Sequence, residues 1–297
     1  MGIIPNPSFR DISHNIKEMK ILANLMRHDV ITMLAEAKSG HPAGPLGLAE
    51  IFVVLFFREM HHDPKNPFDP QRDRFVLSNG HVAPIYYSAL ARCGYFPLEK
   101  LMTLRKLGSE LQGHPSKDWM PYIENSSGPL GHGLSIACGI AYALRYDKSL
   151  SRVYCITSDG EHQEGSTWEA AMLANKYKLD NLVNIIDRNY IQIDGKTEDV
   201  MPLEPLVDKY KAFGWHTISI NGHDFNQIIN ALEEARKTKG KPTVIIANTV
   251  PGKGVKFMEH FYEWHGKPPK KEEAEKALIE LEEELKLLYK EKDYYIP

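Results

Sequence analysis

The chain has few cysteines and no long apolar segment. Its cysteines are scattered among apolar or small residues, which predicts reduced core thiols rather than a disulfide framework: Cys93, Cys138 and Cys155. No apolar stretch approaches the about 20 residues that a membrane-spanning helix needs. Residues 1–20 lack the apolar centre of a secretory signal peptide. We therefore expect a cytoplasmic protein that does not interact with membranes.

An excess of charge and the common nucleotide-binding motifs are lacking as well. The 36 Lys and Arg nearly balance the 39 Asp and Glu, so the formal net charge is only −3 and no nucleic-acid partner is expected. The sequence has no Gly-rich loop ending in Gly-Lys-Ser/Thr, no dinucleotide fingerprint and no Gly-x-Ser-x-Gly elbow. No His and Cys spacing matches a zinc site. These absences argue against nucleotide hydrolysis, serine catalysis and zinc.

Strand-like and helical segments alternate along the chain. This pattern predicts an α/β fold, a three-layer sandwich with a mostly parallel sheet. Short apolar runs predict strands over residues 74–78, 153–157, 182–186, 216–220 and 243–247. Apolar residues at helical spacing predict helices over residues 16–37, 46–60, 134–144, 167–178, 226–237 and 270–292.

No internal repeat and no low-complexity linker divides the sequence. We therefore predict one domain over residues 1–268, with a helical tail over residues 269–297. The tail helix has leucines on one side and is otherwise rich in Glu and Lys. Two interpretations stay open, a helix packed on the same domain and a contact for a partner.

Polar segments follow two neighbouring predicted strands. Ser158-Asp159-Gly160 comes after strand 153–157, and the turn Asp187-Arg188-Asn189 comes after strand 182–186. Ligands bind beyond the carboxyl ends of parallel strands. Asp159 and Asn189 are therefore candidate ligands of a Mg²⁺ that holds a diphosphate, with the Ile191 carbonyl as a third ligand. Asp, Asn and Gly also dominate ordinary turns, so two simple turns are the alternative.

Glycine-framed loops supply further candidates. Four histidines that adjoin a glycine are candidates: His41, His81, His114 and His265. There the backbone can approach a ligand closely, and an imidazole can move protons near neutral pH. Each histidine taken singly is also compatible with a surface or capping role. The glycine-rich segment 128–133 precedes a predicted helix, whose N-terminal N–H groups and dipole suit a phosphate.

Taken together and in chain order, these motifs resemble the transketolase family over about residues 14–268. The matching strings are Ser39-Gly40-His41-Pro42-Ala43-Gly44-Pro45-Leu46-Gly47, Ser78-Asn79-Gly80-His81, Gly113-His114-Pro115, Gly128-Pro129-Leu130-Gly131, the Asp159-Gly160 to Asn189 element and Trp264-His265-Gly266. Three positions depart from the family pattern. Ala43-Gly44 replaces the usual Gly-Ala, Ser158 replaces the Gly that usually begins the metal motif, and His132 stands where many members have Gln.

The resemblance implies thiamine diphosphate and a divalent metal as cofactors. The metal would be Mg²⁺, with Ca²⁺ or Mn²⁺ able to take its place, and its ligands would be Asp159, Asn189 and the Ile191 carbonyl. Thiamine diphosphate would contact residues spread over several loops: His81, Gly128, Pro129, Leu130, Gly160, Asn189 and His265.

The resemblance also implies residues that act on the substrate and at a contact between subunits. His41, His114 and His265 would be catalytic, orienting sugar hydroxyls and moving protons. Glu164 and Glu169 would lie near the interface between paired active sites.

The implied reaction moves a two-carbon ketol group from a ketose phosphate to an aldose phosphate, as in pentose phosphate metabolism. A full transketolase is considerably longer, because a second half binds the pyrimidine of the cofactor. Nothing in residues 190–297 resembles that half. We therefore expect the N-terminal, diphosphate-binding subunit of a split two-chain enzyme. It would be inactive alone and would form a heterotetramer with a C-terminal, pyrimidine-binding subunit.

Two alternatives remain at this level. The same kind of domain serves other thiamine diphosphate enzymes, such as 2-oxo acid dehydrogenase α-type subunits and deoxyxylulose-phosphate synthase. The Gly-His-Pro strings at His41 and His114 favour the transketolase type. A non-catalytic interaction protein that retains the fold is the second alternative, and it would bind the cofactor weakly. The intact set of candidate metal ligands and histidines argues against it.

Overall fold

The computed structural model describes residues 2–7 and 12–290, which form two compact units. Unit 1 comprises the described residues of Met1–Glu59, Val82–Gly113 and Val250–Pro297. Unit 2 comprises Met60–His81 and His114–Thr249. Each unit is assembled from segments that are distant in sequence. Long-range packing within each unit therefore decides which loops become neighbours.

The strands and helices follow one another along the described chain. The strands are β1 Arg74–Leu77, β2 Val153–Ser158, β3 Leu182–Arg188, β4 Ile191–Gln192, β5 Gly195–Lys196, β6 His216–Asn221 and β7 Thr243–Asn248. The α-helices are α1 Ile16–Ala37, α2 Ala43–Gly47, α3 Ala49–Val54, α4 Ala83–Cys93, α5 Gly133–Tyr146, α6 Gly165–Lys176, α7 Thr197–Val200, α8 Leu206–Ala212, α9 Phe225–Lys237 and α10 Lys271–Lys290.

Unit 2 is organised around a five-stranded parallel sheet in the order β1-β2-β3-β7-β6. The register pairs Ser158 at the end of β2 with Asp187 in β3, and Asp187 with Ala247 in β7. Because the strands are parallel, their carboxyl ends lie along one edge of the sheet. The strands β4 and β5 form a short antiparallel pair just after β3.

The core of unit 2 explains why β2 and β3 are apolar runs without alternation. Every residue of both strands is buried, which is typical of strands covered on both faces. Helices α5, α6 and α8 contribute to one apolar cluster with the sheet. Small residues of α5, including Ala137 and Ala141, are fully buried there and let the helix approach the strands closely.

Unit 1 is built around α1, which is buried along most of its length. The Asn15 side chain caps its N-terminus by accepting hydrogen bonds from the N–H groups of Lys17 and Glu18. Helix α10 packs on α1, with Leu281 buried and Asn24 Nδ2 donating to Glu284 Oε2 at 3.1 Å. The tail helix is therefore a packed element of unit 1 over its described residues. Positions 291 and 292 of the predicted helix lie outside the described residues.

Most predicted elements are confirmed. The α/β prediction and all five predicted strands hold, and the predicted helices 16–37, 134–144, 167–178 and 226–237 correspond to α1, α5, α6 and α9. The single helix predicted over residues 46–60 is wrong. The structure divides it into α2, α3 and a π-helical turn Leu55–Glu59, because the backbone at Leu48 (φ −93°, ψ 0°) leaves ideal helical geometry.

The turn predicted at residues 187–189 also needs correction. Asp187 and Arg188 still belong to β3, where they pair with β7, and the chain turns at Tyr190 with φ of +65°. The prediction for the thiols is confirmed, since all three cysteines are free, Cys138 and Cys155 are buried, and Cys93 is partly buried. Among the described residues, no helix is both long enough and apolar enough to cross a membrane.

Candidate functional site

Asp159 lies directly beyond β2 and is buried, with 1% of its surface exposed. Its Oδ1 accepts a hydrogen bond from the Gly160 N–H at 2.7 Å. Its Oδ2 accepts from the Tyr190 N–H at 2.8 Å and from Arg188 Nη1 at 3.0 Å. The left-handed backbone at Tyr190 turns the chain after β3, and this turn directs the Tyr190 N–H at the end of β2. The candidate metal carboxylate is therefore held by the two neighbouring strand ends.

Burial and the neighbouring arginine act on Asp159 in opposite directions. Burial raises the pKa of the carboxyl group, and the charge of Arg188 together with the N–H donors of Tyr190 and Gly160 opposes that rise. Arg188 is itself 1% exposed in its side chain and also pairs with Glu198 and Glu204. This ion pair could not be predicted, because nothing in the sequence shows that Arg188 points towards Asp159.

Asn189 is oriented by hydrogen bonds on both sides of its amide. Its Nδ2 donates to Asp187 Oδ2 at 2.8 Å, and its Oδ1 accepts from the Ile191 N–H at 3.0 Å. Burial raises the pKa of Asp187 to about 7, while the Thr249 hydroxyl and Asn189 hydrogen-bond to its carboxylate. Since the amide nitrogen is engaged by Asp187, Oδ1 is the atom of Asn189 that can serve as a ligand.

The candidate metal site consists of oxygen donors only. Among the described residues, no three His, Cys, Asp or Glu side chains come together as a metal-binding group. A metal at Asp159 would therefore need the Asn189 amide, a backbone carbonyl and oxygens from outside the protein. Such a mixed oxygen set fits Mg²⁺, which usually takes one or two protein carboxylates and completes its shell with phosphate and water. Oδ2 of Asp159 accepts from both Arg188 and the Tyr190 N–H, whereas Oδ1 accepts from the Gly160 N–H and keeps a lone pair for a metal.

The glycine loops of unit 2 are in direct contact. A Cβ on Gly80 would lie 2.6 Å from Ser127 Oγ and 3.0 Å from the Gly128 nitrogen, so no side chain fits there. His81, which follows Gly80, is 9% exposed. The loop 128–130 begins at this contact and runs on to the N-terminus of α5, with Leu130 38% exposed. Backbone N–H groups before a helix suit a phosphate, as the sequence predicts.

His114 lies beside the same loop. The Pro115 carbonyl accepts a hydrogen bond from the Ser127 N–H at 2.9 Å. A Cβ on Gly128 would be 3.9 Å from Cγ of His114, and the histidine itself is exposed. In unit 2 the structure thus brings together His81, His114 and the 128–130 loop, while Asp159, Gly160, Asn189 and Ile191 form the neighbouring strand-end group.

The remaining two histidines lie in unit 1 and contact each other. The rings of His41 and His265 are perpendicular, with centroids 5.7 Å apart. A hydrogen bond from the Gly252 N–H to the Ala43 carbonyl, 2.9 Å long, joins the segments that carry them. Burial lowers the pKa of His265 to about 4. The His265 ring is therefore neutral near pH 7, able to donate one hydrogen bond and accept another.

Glu164 and Glu169 lie at the start of α6 and are exposed. The surface around them is apolar: α5 exposes Ile136, Tyr142 and Tyr146, and α6 exposes Met172 and Leu173. We call the exposed residues of α5 and α6 the α5/α6 face. An apolar patch on two adjacent helices is typical of a surface that another chain covers.

Glu161, two positions after Asp159, is fully buried and is not among the residues predicted from the sequence. Its carboxylate accepts hydrogen bonds from the residue after β1, from the glycine loop and from the end of β2, namely from Ser78, Gly131 and Ser158. The only signal in the sequence is an acidic residue next to a candidate site. That signal does not distinguish a buried carboxylate from a solvated one.

A parallel sheet with oxygen ligands, glycine loops and histidines beyond its strands defines a candidate diphosphate-binding α/β domain. Residues 18–283 match the family model described as the thiamine diphosphate-binding domain of transketolase. The 6-deoxy-6-sulfo-D-fructose transketolase subunit SqwG of Clostridium sp. (strain MSTE9) is 43% identical over 88% of this chain and 95% of its own length. An apulose-4-phosphate transketolase subunit of Actinobacillus succinogenes is 41% identical over 90% of this chain and 97% of its own length.

The solved structure of transketolase from Campylobacter jejuni has a TM-score of 0.84 and 37% sequence identity, and the match covers 90% of this chain. The chain spans only 43% of that solved transketolase chain. This chain belongs to the transketolase family and corresponds to the family's N-terminal, thiamine diphosphate-binding domain.

Proposed function

We propose that this chain is the N-terminal subunit of a two-chain transketolase. With a separate C-terminal, pyrimidine-binding subunit it would transfer a two-carbon ketol group from a ketose phosphate to an aldose phosphate. The observation that carries the proposal is the pair of strand ends that orient Asp159 and Asn189 beside the glycine loops. The relatives named as transketolase subunits, which match this chain over nearly their whole length, support the division into two chains.

Residues of unit 2 would hold the diphosphate and its metal. Asp159, Asn189 and the Ile191 carbonyl would coordinate Mg²⁺, with Ca²⁺ or Mn²⁺ as substitutes. Gly160, His81 and the 128–130 loop would donate to the diphosphate. When bound, thiamine diphosphate supplies the reactive carbon needed to break and form carbon–carbon bonds next to a carbonyl. Asp159 and Asn189 are buried, and the hydrogen bonds that they make to neighbouring groups would keep their oxygens oriented towards the metal.

The histidines would act on the sugar. His41 and His265, which are in contact in unit 1, would face substrate hydroxyls. The low pKa of His265 keeps its ring neutral, so this histidine can donate one hydrogen bond and accept another. His114 would take the same kind of role from unit 2. A neutral imidazole is suited to moving one proton at a time between hydroxyl and carbonyl oxygens.

Assembly is the second part of the proposal. We assign the α5/α6 face, with Glu164 and Glu169 at its edge, to contact with a second copy of this chain in a heterotetramer. Its exposed apolar side chains favour burial, and Glu164 and Glu169 would lie near the interface between paired active sites. We also propose that residues 1–268 form a single domain and that the protein is cytoplasmic.

The test is reconstitution of activity. The chain is purified alone and also after co-expression with a candidate pyrimidine-domain chain, and ketol transfer between sugar phosphates is measured with and without thiamine diphosphate and Mg²⁺. We expect activity only for the two-chain complex with both cofactors. Enzyme-like turnover by the chain alone would refute the two-chain proposal, and a stable complex that binds the cofactors without any ketol transfer would refute the reaction.

A further inference from the structure

Glu161 is a carboxylate with no exposed surface, in a one-turn 3₁₀-helix over Gly160–Gln163. Its Oε1 accepts from the Gly131 N–H at 2.8 Å and from the Ser78 hydroxyl, and its Oε2 accepts from the Ser158 N–H at 2.9 Å. These donors belong to three segments that are far apart in sequence. One buried side chain therefore joins the residues that follow β1, the glycine loop and the end of β2.

A further hydrogen bond, made by the Gly133 N–H, helps to orient the Ser78 hydroxyl. The Gly133 N–H donates to Ser78 Oγ at 3.0 Å, so the hydroxyl proton of Ser78 is free to point towards Glu161. Glu161 consequently accepts hydrogen bonds at both of its oxygens, and these bonds oppose the rise in the pKa of its carboxyl group that burial causes. The whole set is shielded from water, because Glu161 has no exposed surface.

The segments around Glu161 pack so closely that a side chain cannot be added at the glycines of the loop. A Cβ on Gly133 would lie 2.3 Å from the Cβ of Ser78, and a Cβ on Gly131 would lie 2.7 Å from the Cβ of Glu164. Ser166 Oγ adds one hydrogen bond to the Gly131 carbonyl at 3.0 Å. The backbone of the glycine loop is thus placed by polar contacts, of which those to Glu161 are the ones that join all three segments.

We propose that Glu161 is a positioning residue for cofactor binding, which fixes the residues after β1, the 128–131 loop and the end of β2 relative to one another. It acts through the segments that carry His81, the glycine loop and Asp159, without contacting the cofactor. The inference rests on the proposed function, because it concerns the residues assigned to the diphosphate and the metal.

The main variant is Glu161→Gln. Glutamine has one accepting oxygen, and its amide nitrogen only donates, so at least one of the three donors loses its acceptor. A matched control is Asp73→Asn at the opposite, amino-terminal end of β1. Asp73 is also a buried carboxylate that accepts two backbone N–H bonds, from His61 at 2.8 Å and from Arg152 at 2.7 Å. It contacts none of the three segments.

Binding of thiamine diphosphate in saturating Mg²⁺ is measured by calorimetry on the complex of both chains, alongside the unfolding temperature. We expect Glu161→Gln to raise Kd about tenfold or more, equivalent to about 1.4 kcal/mol. We expect Asp73→Asn to lower the unfolding temperature comparably and to leave Kd within about twofold.

Ser78→Ala, which removes one of the three donors, should give an intermediate Kd, and it replaces Glu161→Gln in the test if that variant does not fold. Equal Kd changes in Glu161→Gln and Asp73→Asn, or wild-type Kd in the Glu161 and Ser78 variants, would overturn the proposal.

A second readout separates this proposal from the proposed function. Without cofactor, amide hydrogen exchange at Gly131 should be faster in Glu161→Gln than in wild type and unchanged in Asp73→Asn. If wild-type complex fails to bind thiamine diphosphate at all, the proposed function fails, and this exchange comparison alone decides whether Glu161 holds the loop. An exchange rate at Gly131 equal to wild type would then reject the positioning role.

Discussion

The charge on Asp159 is the residue-level feature on which the candidate metal site depends. Replacing Asp159 with Ala removes the only carboxylate of the proposed ligand set. We expect Mg²⁺-dependent binding of thiamine diphosphate to weaken by at least about a hundredfold, since a charged metal ligand contributes several kcal/mol. The measurement is cofactor affinity by calorimetry with Mg²⁺ and with a chelator present.

Asp194→Ala is the matched control for this substitution. Asp194 is an exposed carboxylate in the nearby turn between β4 and β5. Its removal should leave cofactor affinity within about twofold, because a solvated charge that contacts no ligand contributes little. Unchanged affinity in Asp159→Ala would contradict the assignment of the metal site. A folded variant is expected, since Arg188 keeps Glu198 and Glu204 as partners.

The sequence predicts the position of the candidate ligand residues in the fold better than it predicts the residues that hold them in place. Asp159 and Asn189 each follow an apolar run, and that local pattern is enough to place both at one edge of a parallel sheet. Arg188 and Glu161 cannot be recognised in this way. Arg188 reaches the neighbouring strand end, and Glu161 joins segments around Ser78 and Gly131. These contacts come from long-range packing, which one sequence without a structure does not reveal.

At the scale of the elements, α5 offers two glycines with opposite surroundings. A Cβ on Gly133 would lie 2.3 Å from a side-chain carbon of Ser78, whereas a Cβ on Gly139 would meet nothing within 4 Å in this chain. We expect Gly139→Ala to stabilise the isolated chain by about 0.5–1 kcal/mol, because Ala is the better helix former. We expect Gly133→Ala to destabilise it by about 1–3 kcal/mol through overpacking.

Urea unfolding of the two variants, with wild type as reference, checks this pair. Both substitutions are chemically the same and lie in one helix, and the gain in helix propensity is expected mainly at Gly139, in the interior of α5. Equal effects on the free energy of unfolding would contradict the close contact between the N-terminus of α5 and the residue after β1.

The helices and strands follow from the sequence wherever its hydrophobic pattern is typical of one kind of element. The buried strands β2 and β3 are continuous apolar runs, and α1 begins at a capping Asn15 and ends before Gly40. The break in the helix predicted over residues 46–60 was not predictable, because its apolar pattern continues through α2, α3 and the π-helical turn. Backbone geometry at Leu48 interrupts the helix without a change in hydrophobicity.

At the scale of the whole molecule, the α5/α6 face leads to a prediction about assembly. Met172 is 53% exposed on α6, and Leu287 is 62% exposed on α10. We expect Met172→Lys to weaken association between copies of this chain by at least about tenfold, since it places a charge in an apolar contact. Leu287→Lys should not change it.

Light scattering after size-exclusion chromatography of the reconstituted complex, over a dilution series, measures this association. Both substitutions affect exposed side chains, so the unfolding free energy of the isolated chain should stay within about 0.5 kcal/mol of wild type in both. Association that is equally strong in both variants would show that the α5/α6 face is not the contact between copies.

The ion pair between Arg188 and Asp159 has a consequence for the life of the protein before it meets any cofactor. Many metal-binding domains are unfolded without their ion, because nothing else balances the buried ligands. Here the chain carries its own positive charge against the buried carboxylate, 3.0 Å away. We therefore expect the chain to fold without the proposed ion, and removal of the ion by a chelator should leave the chain folded.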